Sequence, residues 1–323
     1  MRTLWPVHSD PGNHARLWGA HYPGLPNQPR HVGVGIASSG VTVQNCVLDT
    51  FQFGIGLPLL GRNATLQGNT LENNFKGIWF GPGGRNSTIT GNHFNTNGEF
   101  GLEFRERARN NTVKSNTAFN NGRVGIQINR DARVNVISHN YVFTADDEDL
   151  GTRGGIALDS DSVDNVIEHN TVDGGIFGIR FNGGVRRNLI RENFVTGARR
   201  AGIWFNGDPG DTSPGNNTVI GNFVTANGDT STDAPGNEGI RIEEGANKNR
   251  LLRNVVTRNF SIGVHICGND NRVRHNRMFN NDQDSDLPLD LCVDQDATGN
   301  VVNSNQVGNE DLNCTRECTS LNP

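Results

Sequence analysis

The sequence predicts an all-β solenoid, a rod of stacked coils built from short parallel strands and about eleven coils long. Three observations predict it. An asparagine recurs at positions 45, 69, 92, 116, 140, 170, 193, 222, 254, 276 and 305, spaced by 22 to 24 residues wherever no insertion intervenes. Around it the chain is apolar three residues before (Leu66, Ile89, Val113, Ile137) and two residues after (Leu71, Phe94, Ala118, Val142), with only the copy at Asn45 out of step. Each unit then carries Gly-Ile-x-Phe or a close relative, as in Gly77-Ile78-Trp79-Phe80. Apolar residues alternate at period two within these runs, which is strand patterning. The L-x-x-L-x-L frame of leucine-rich repeats is missing.

Composition agrees with a repeat. Only 33% of the 323 residues are hydrophobic and 41 are glycine, which in a chain without periodicity would mean disorder. Thin coils need few apolar residues each, because stacking joins them into one core. The recurring Asn belongs at a tight bend, its amide bonding the backbone and stacking on the Asn of the next coil. At a strand spacing of about 4.8 Å, eleven coils make a rod roughly 50 Å long.

The elements follow in chain order. Residues 1–31 carry Pro6, Pro11, Pro23, Pro26 and Pro29 with Trp5, Trp18 and Tyr22, and are expected to cap the first coil. His8, His14, His21 and His31 in this segment match no standard metal-site spacing. The repeat occupies 32–310, and 311–323, with Cys314 and Cys318, is expected to close the other end. Insertions at 144–153, 208–215 and 226–237 all border the Gly-Ile-x-Phe strand, and long loops gather at functional faces. The acidic run Asp146-Asp147-Glu148-Asp149 in the first of them offers oxygen ligands for Ca²⁺, the one cofactor the sequence suggests.

Other features narrow the class. A net charge of −5 with no basic run argues against nucleic acid as a partner. No stretch of 18 apolar residues is present to span a membrane. Met1 to Asn13 lacks the apolar region of a signal peptide, so a longer secreted or periplasmic chain is expected. Four of the five cysteines (Cys267, Cys292, Cys314, Cys318) crowd the last 57 residues, which suits disulfides and an oxidising compartment. Cys46 is then the free one. The spacing lacks the paired C-x-x-C of a zinc site, and no metal ligands are assigned.

The Asn ladder together with Gly-Ile-x-Phe resembles the right-handed parallel β-helix (pectate-lyase-like) superfamily over roughly residues 32 to 310. That superfamily includes polysaccharide lyases, alginate lyases and epimerases, and carbohydrate-binding and sugar-hydrolase domains. The resemblance implies a right-handed helix with one strand per sheet in each coil, and a polysaccharide as partner. In such families an arginine can serve as base, a role that would fall here to Arg180 or Arg241, and Ca²⁺ is often held by clustered acids. Asp159 and Glu243 lie three coils apart and cannot share one ion.

In Gly-Ile-x-Phe the Ile and Phe point inward, so x and the residue after Phe point outward. One outward row is then Trp79, Glu103, Gln127, Ala157, Arg180, Trp204, Arg241, His265 and Asp290. The row beside it is Gly81, Arg105, Asn129, Asp159, Asn182, Asn206, Glu243, Cys267 and Cys292, which makes the last two a candidate disulfide. Outward Trp79 and Trp204 offer apolar faces to sugar rings, while Glu103, Arg105, Gln127, Asn129, Asn182 and Asn206 offer hydrogen bonds. Arg180 and Arg241 suit a bidentate grip on a carboxylate, and His265 suits a general base or acid. Asp159 and Glu243 complete the catalytic set. The leading expectation is a lyase or C5-epimerase acting on a uronic-acid polysaccharide. The alternatives are a glycoside hydrolase with paired carboxylates such as Glu103 and Asp159, and a non-catalytic glycan-binding or structural β-helix.

Overall fold

A computed structural model describes residues 31–59, 61–145, 154–207, 213–229, 236–282 and 289–314. The described residues contain no α-helix; strands wind into three parallel sheets of twelve, eleven and eleven strands, each pairing with its counterpart one coil away. The first sheet runs from Val32–Gly35 to Glu310–Cys314, the second from Thr42–Gln44 to Val301–Asn303, the third from Val47–Asp49 to Gln306–Val307. Register is unbroken over long stretches: Trp79 lies opposite Glu103, Glu103 opposite Gln127, and Arg180 opposite Trp204. The solenoid expected from the repeat is thus present, and its last strand extends four residues past position 310. The N-terminal segment before His31, the acidic run 146–149 and the tail beyond Cys314 lie outside the described residues.

Asparagine ladders stand at three corners of the coil. In the ladder read from the sequence, Asn193 Nδ2 donates to Ile167 O at 2.9 Å and to Asn222 Oδ1 at 2.9 Å. Its own Oδ1 accepts from Asn170 N at 2.9 Å and from Asn170 Nδ2 at 3.0 Å. A second ladder runs through Ser87, Asn111, Asn135, Asn165, Asn188, Asn217, Asn249, Asn271 and Asn300. A third is interrupted: Asn74, Asn97 and Asn121 in early coils, Asn227, Asn259 and Asn281 in late ones. Each buried amide is thereby satisfied, as a polar group removed from water must be.

The residue before each rung turns the corner with positive φ. Glycine does so at Gly68 (62°) and Gly221 (68°), and histidine at His139 (55°), His169 (52°) and His275 (58°). Those histidines are therefore structural, as their place in the repeat suggested, and the first two stack with centroids 5.0 Å apart. The out-of-step first copy is also explained. Asn45 (φ 55°) occupies the corner that Gly68 fills one coil on, and Cys46 takes the rung, its N–H donating to Asn69 Oδ1 at 3.0 Å.

One continuous core fills the rod, with Ile78, Leu102, Ile126, Ile156, Ile179 and Ile203 stacked along the first sheet. The glycine of Gly-Ile-x-Phe faces the same interior. At Gly178 a Cβ would stand 2.4 Å from Val195 Cγ1 and 2.5 Å from Gly202 O, so no larger residue fits.

Candidate functional site

The outer face of the first sheet carries the residues singled out above, but most of it is not open to solvent. Gln127, Trp204, Arg241 and His265 are each at most 1% exposed and Glu103 is 2% exposed. This corrects the expectation of an open row, and local geometry supplies the reason. The residue three before x, which starts the strand at Phe53, Lys76, Phe100, Val124 and Phe177, is assigned to the core by strict alternation. The bend turns it outward instead, across the x side chain of the next coil. Phe53 stacks on Trp79 (4.8 Å), Lys76 meets Glu103 (2.6 Å) and Phe177 stacks on Trp204 (4.0 Å) in this way. Trp204, closed in by Ile176, Phe177 and Ala201, has no free ring face for a sugar. Trp79 keeps a half-exposed edge.

Three polar clusters result. At the N-terminal end Lys76 Nζ lies 2.6 Å from Glu103 Oε2 and 3.1 Å from Glu99 Oε2, with the Phe100 ring 4.8 Å away. Arg105, half-buried, approaches Glu103 at 3.9 Å.

In the middle coils Asp159 Oδ2 accepts from Gln127 Nε2 at 2.7 Å and from Arg180 Nη2 at 2.8 Å. The Asp159 and Arg180 side chains remain 13% and 11% exposed. The buried atoms Asp159 Oδ1, Arg180 Nε and Asn129 Oδ1 have no hydrogen-bond partner among the described residues. Asn182 and Asn206 continue the row, joined by a 2.7 Å bond from Asn206 Nδ2 to Asn182 Oδ1. This cluster unites six predicted residues: Gln127 and Arg180 are buried, and Asp159, Asn129, Asn182 and Asn206 are partly exposed.

Toward the C-terminal end the groups are sealed. Arg241 Nη1 donates to Glu238 Oε1 at 2.6 Å, and Arg241 Nε to Glu243 Oε1 at 3.4 Å. His265 Nδ1 lies 3.2 Å from Glu238 Oε1, and Gly207 N donates to Glu243 Oε2 at 3.2 Å. Burial pushes the Glu238 carboxyl upward, but the Arg241 guanidinium and His265 overcome it and hold the pKa down to about 2. Arg241, Glu243 and His265 come together here, and none of the three reaches the surface.

Glu238 and Lys76 were not anticipated. Their signal was legible: each is a charge directly before the glycine of the motif, where other coils carry Phe53, Phe100, Val124 or Phe177.

The last coils also revise the cysteine pairing. Cys292, not Asp290, lies opposite His265, because Leu289, Leu291 and Val293 alternate so evenly that a shift of two residues preserves the pattern. Cys292 is bonded to Cys314, not to Cys267, and Cys267 is itself disulfide-bonded. Cys46 is free, as expected. Asp290 instead ends a ladder, its Oδ1 accepting from Asn281 Nδ2 at 2.7 Å.

Potential metal ligands gather at one place among the described residues, where His265, Cys292 and Cys314 offer atoms within 4.8 Å of one another. Two of those three sulfur and nitrogen donors are tied in a disulfide, which removes the thiolate a soft metal needs. Asp159 and Glu243 are separated by the coils of Asn182 and Asn206, which excludes a shared Ca²⁺.

The chain is similar in fold to known proteins. A family model described as the right handed beta helix region matches residues 32–195. A second, described as periplasmic copper-binding protein (NosD), matches residues 147–289, and the disulfide-bonded donor set above does not fit copper. No curated protein matches the chain. Among solved structures, the periplasmic alginate epimerase AlgG is similar at 14% identity and TM-score 0.59, over 85% of this chain and 78% of that one. The Azotobacter vinelandii mannuronan C-5 epimerase AlgE4 A-module is similar at 15% identity and TM-score 0.56, over 86% and 80%. The tailspike protein of E. coli bacteriophage HK620, solved with a hexasaccharide, is similar at 12% identity and TM-score 0.56, over 84% and 59%. What these chains share at such identity is the fold.

Proposed function

The chain belongs to the right-handed β-helix family, and from that premise we propose that it acts on a uronic-acid-containing polysaccharide lying across the first sheet, by β-elimination or C5-epimerisation. The observation that carries this reading is the middle cluster. Asp159, Asn129, Asn182 and Asn206 form a partly exposed polar patch around the largely buried Arg180, and its hydrogen-bonding groups are incompletely used. Two structural neighbours, described as an alginate epimerase and a mannuronan C-5 epimerase, support it. Both reactions start alike: the uronate carboxylate is neutralised, and a base takes the C5 proton. Arg180 is the group for the first task, since a guanidinium stabilises the charge that spreads into the carboxylate. Asp159, with one oxygen unspent, is the candidate base, and the three asparagines bind ring hydroxyls. Trp79 at the N-terminal end supplies an apolar edge for a more distant sugar.

The buried Glu238–Arg241–Glu243–His265 cluster holds the late coils together in this reading and touches no substrate. A paired-carboxylate hydrolase is less well supported. Glu103 is sealed against Lys76, which leaves Asp159 alone among the described acids of the patch, and hydrolysis needs two. The disulfides and the periplasmic neighbour favour a place outside the cytoplasm. A panel of polyuronates, assayed for unsaturated product in the ultraviolet, for reducing ends and by proton NMR for epimerised residues, tests the proposal. Turnover lost in Asp159→Asn and Arg180→Gln is the expected result. Reducing ends without unsaturation or epimerisation would overturn it in favour of a hydrolase, and no product on any polymer in favour of a binding module.

A further inference from the structure

The corner between the first and second sheets carries arginine at the same position of four consecutive coils. Arg62, Arg85, Arg109 and Arg133 pair in parallel register, each with the next, through backbone bridges. One coil advances by a strand spacing of about 4.8 Å, so the column spans roughly 14 Å. All four are exposed or half-exposed. None has an ion-pair partner among the described residues, whereas their neighbours are matched: Arg107 with Asp131, Arg123 with Glu99, Arg130 with Glu106, Arg186 with Asp161, Arg187 with Asp164. The column stops at Val163, in the coil that brings Asp161 and Asp164 to this corner. Four like charges in line repel one another, and no ion pair among the described residues offsets them.

Beside three of these arginines stands an exposed asparagine that turns the corner with positive φ: Asn63, Asn86 and Asn110. Each of these coils thus presents a guanidinium and an amide together, a donor pair suited to a carboxylate with an adjacent hydroxyl. We infer that this arginine column is a second binding edge, which holds an extended polyuronate chain along the rod axis beside the first-sheet patch. An extended polyuronate carries one carboxylate on every ring, and the long arginine side chains reach either side of it. The choice of a polyuronate over other polyanions rests on the functional reading above, whereas the edge itself does not.

The test is direct binding, by fluorescence anisotropy, of a labelled polymannuronate oligomer, a neutral mannan oligomer and a single-stranded DNA oligomer. The protein is compared with the exposed-site variant Arg62→Gln/Arg85→Gln/Arg109→Gln/Arg133→Gln, the double variant Arg85→Gln/Arg109→Gln, and Arg180→Gln, all checked for folding by circular dichroism. Polymannuronate affinity is expected to fall by about tenfold or more in the quadruple variant and by an intermediate factor in the double one. The loss should shrink as salt screens the charges. Arg180→Gln, which removes a first-sheet contact to the same polymer, should lower affinity less than the quadruple variant does, and mannan should bind equally weakly to all the proteins. Unchanged polymannuronate binding in the quadruple variant overturns the inference, as does a loss confined to Arg180→Gln. Column-dependent binding of DNA tighter than that of polymannuronate overturns the assignment of ligand. Turnover decides the first-sheet proposal separately: a column that binds polymannuronate in a protein without turnover would leave this inference standing and remove the other.

Discussion

Replacing Asn193 by alanine tests whether the ladders hold the rod together. The side chain is buried, and its amide makes four hydrogen bonds: two donated, to Ile167 O and Asn222 Oδ1, and two accepted, from Asn170 N and Asn170 Nδ2. Some of those partners keep other bonds. Asn222 Oδ1 still accepts from Asn193 N at 2.9 Å, and Asn170 Nδ2 still donates to Ile137 O at 2.9 Å. The Asn170 N–H loses the partner shown for it, inside a buried corner. A buried group left without a bond costs about 1–3 kcal/mol. With the small void added, Asn193→Ala should cost about 2–4 kcal/mol. For a domain of this size that lowers the melting temperature by roughly 4–16 °C, at about 2–4 °C per kcal/mol. Asn305→Ala is the internal control, because that rung is the last of its ladder and is only half-buried. Thermal and urea melts followed by circular dichroism measure both. A loss below about 0.5 kcal/mol at Asn193, the scale of an ordinary surface substitution, would refute the reasoning.

Three further outcomes are expected. The Glu238 carboxylate, held at about 2 against an ordinary value near 4.5, stabilises the fold above pH 4.5, and this contribution is lost as pH falls toward 2; Glu238→Gln should therefore narrow the gap between urea midpoints at neutral and acid pH, and an unchanged gap would refute the assignment. Cys292→Ser opens a 22-residue loop and should cost about 3 kcal/mol, with faster hydrogen exchange concentrated in Glu310–Cys314; uniform exchange along the rod would contradict a local clamp. Trp204→Ala should cost about 3–5 kcal/mol as the loss of a fully buried ring, whereas Trp79→Ala should lower glycan affinity with a smaller loss of stability, and a calorimetric titration that found the two alike would count against their different placement.

The periodic part of the molecule was legible in the sequence. A solenoid repeats its contacts every coil, so the apolar positions, the rungs and the motif glycine recur at fixed offsets and need no tertiary knowledge to be found. Ile167, Asn170 and Val172 could be placed from their spacing alone. The register of Trp79, Glu103 and Gln127, or of Arg180 and Trp204, followed from counting along the motif. Counting failed at Cys292, where an even alternation left two registers equally consistent and only strand pairing chose between them.

What tertiary structure decided is exposure. Alternation says which side of a strand a residue occupies, but not what the bend before that strand lays across it. Phe177 covers Trp204, Lys76 reaches Glu103, and Glu238 gathers Arg241 with His265, all from a position that period two assigns to the core. Those contacts divide one row into a sealed ionic cluster and a partly exposed patch around Asp159 and Arg180. The sequence by itself determined the rod and, except in the last coils, the residues on each row; the turn of the chain between strands, which no periodicity encodes, determined which of them stay open to solvent.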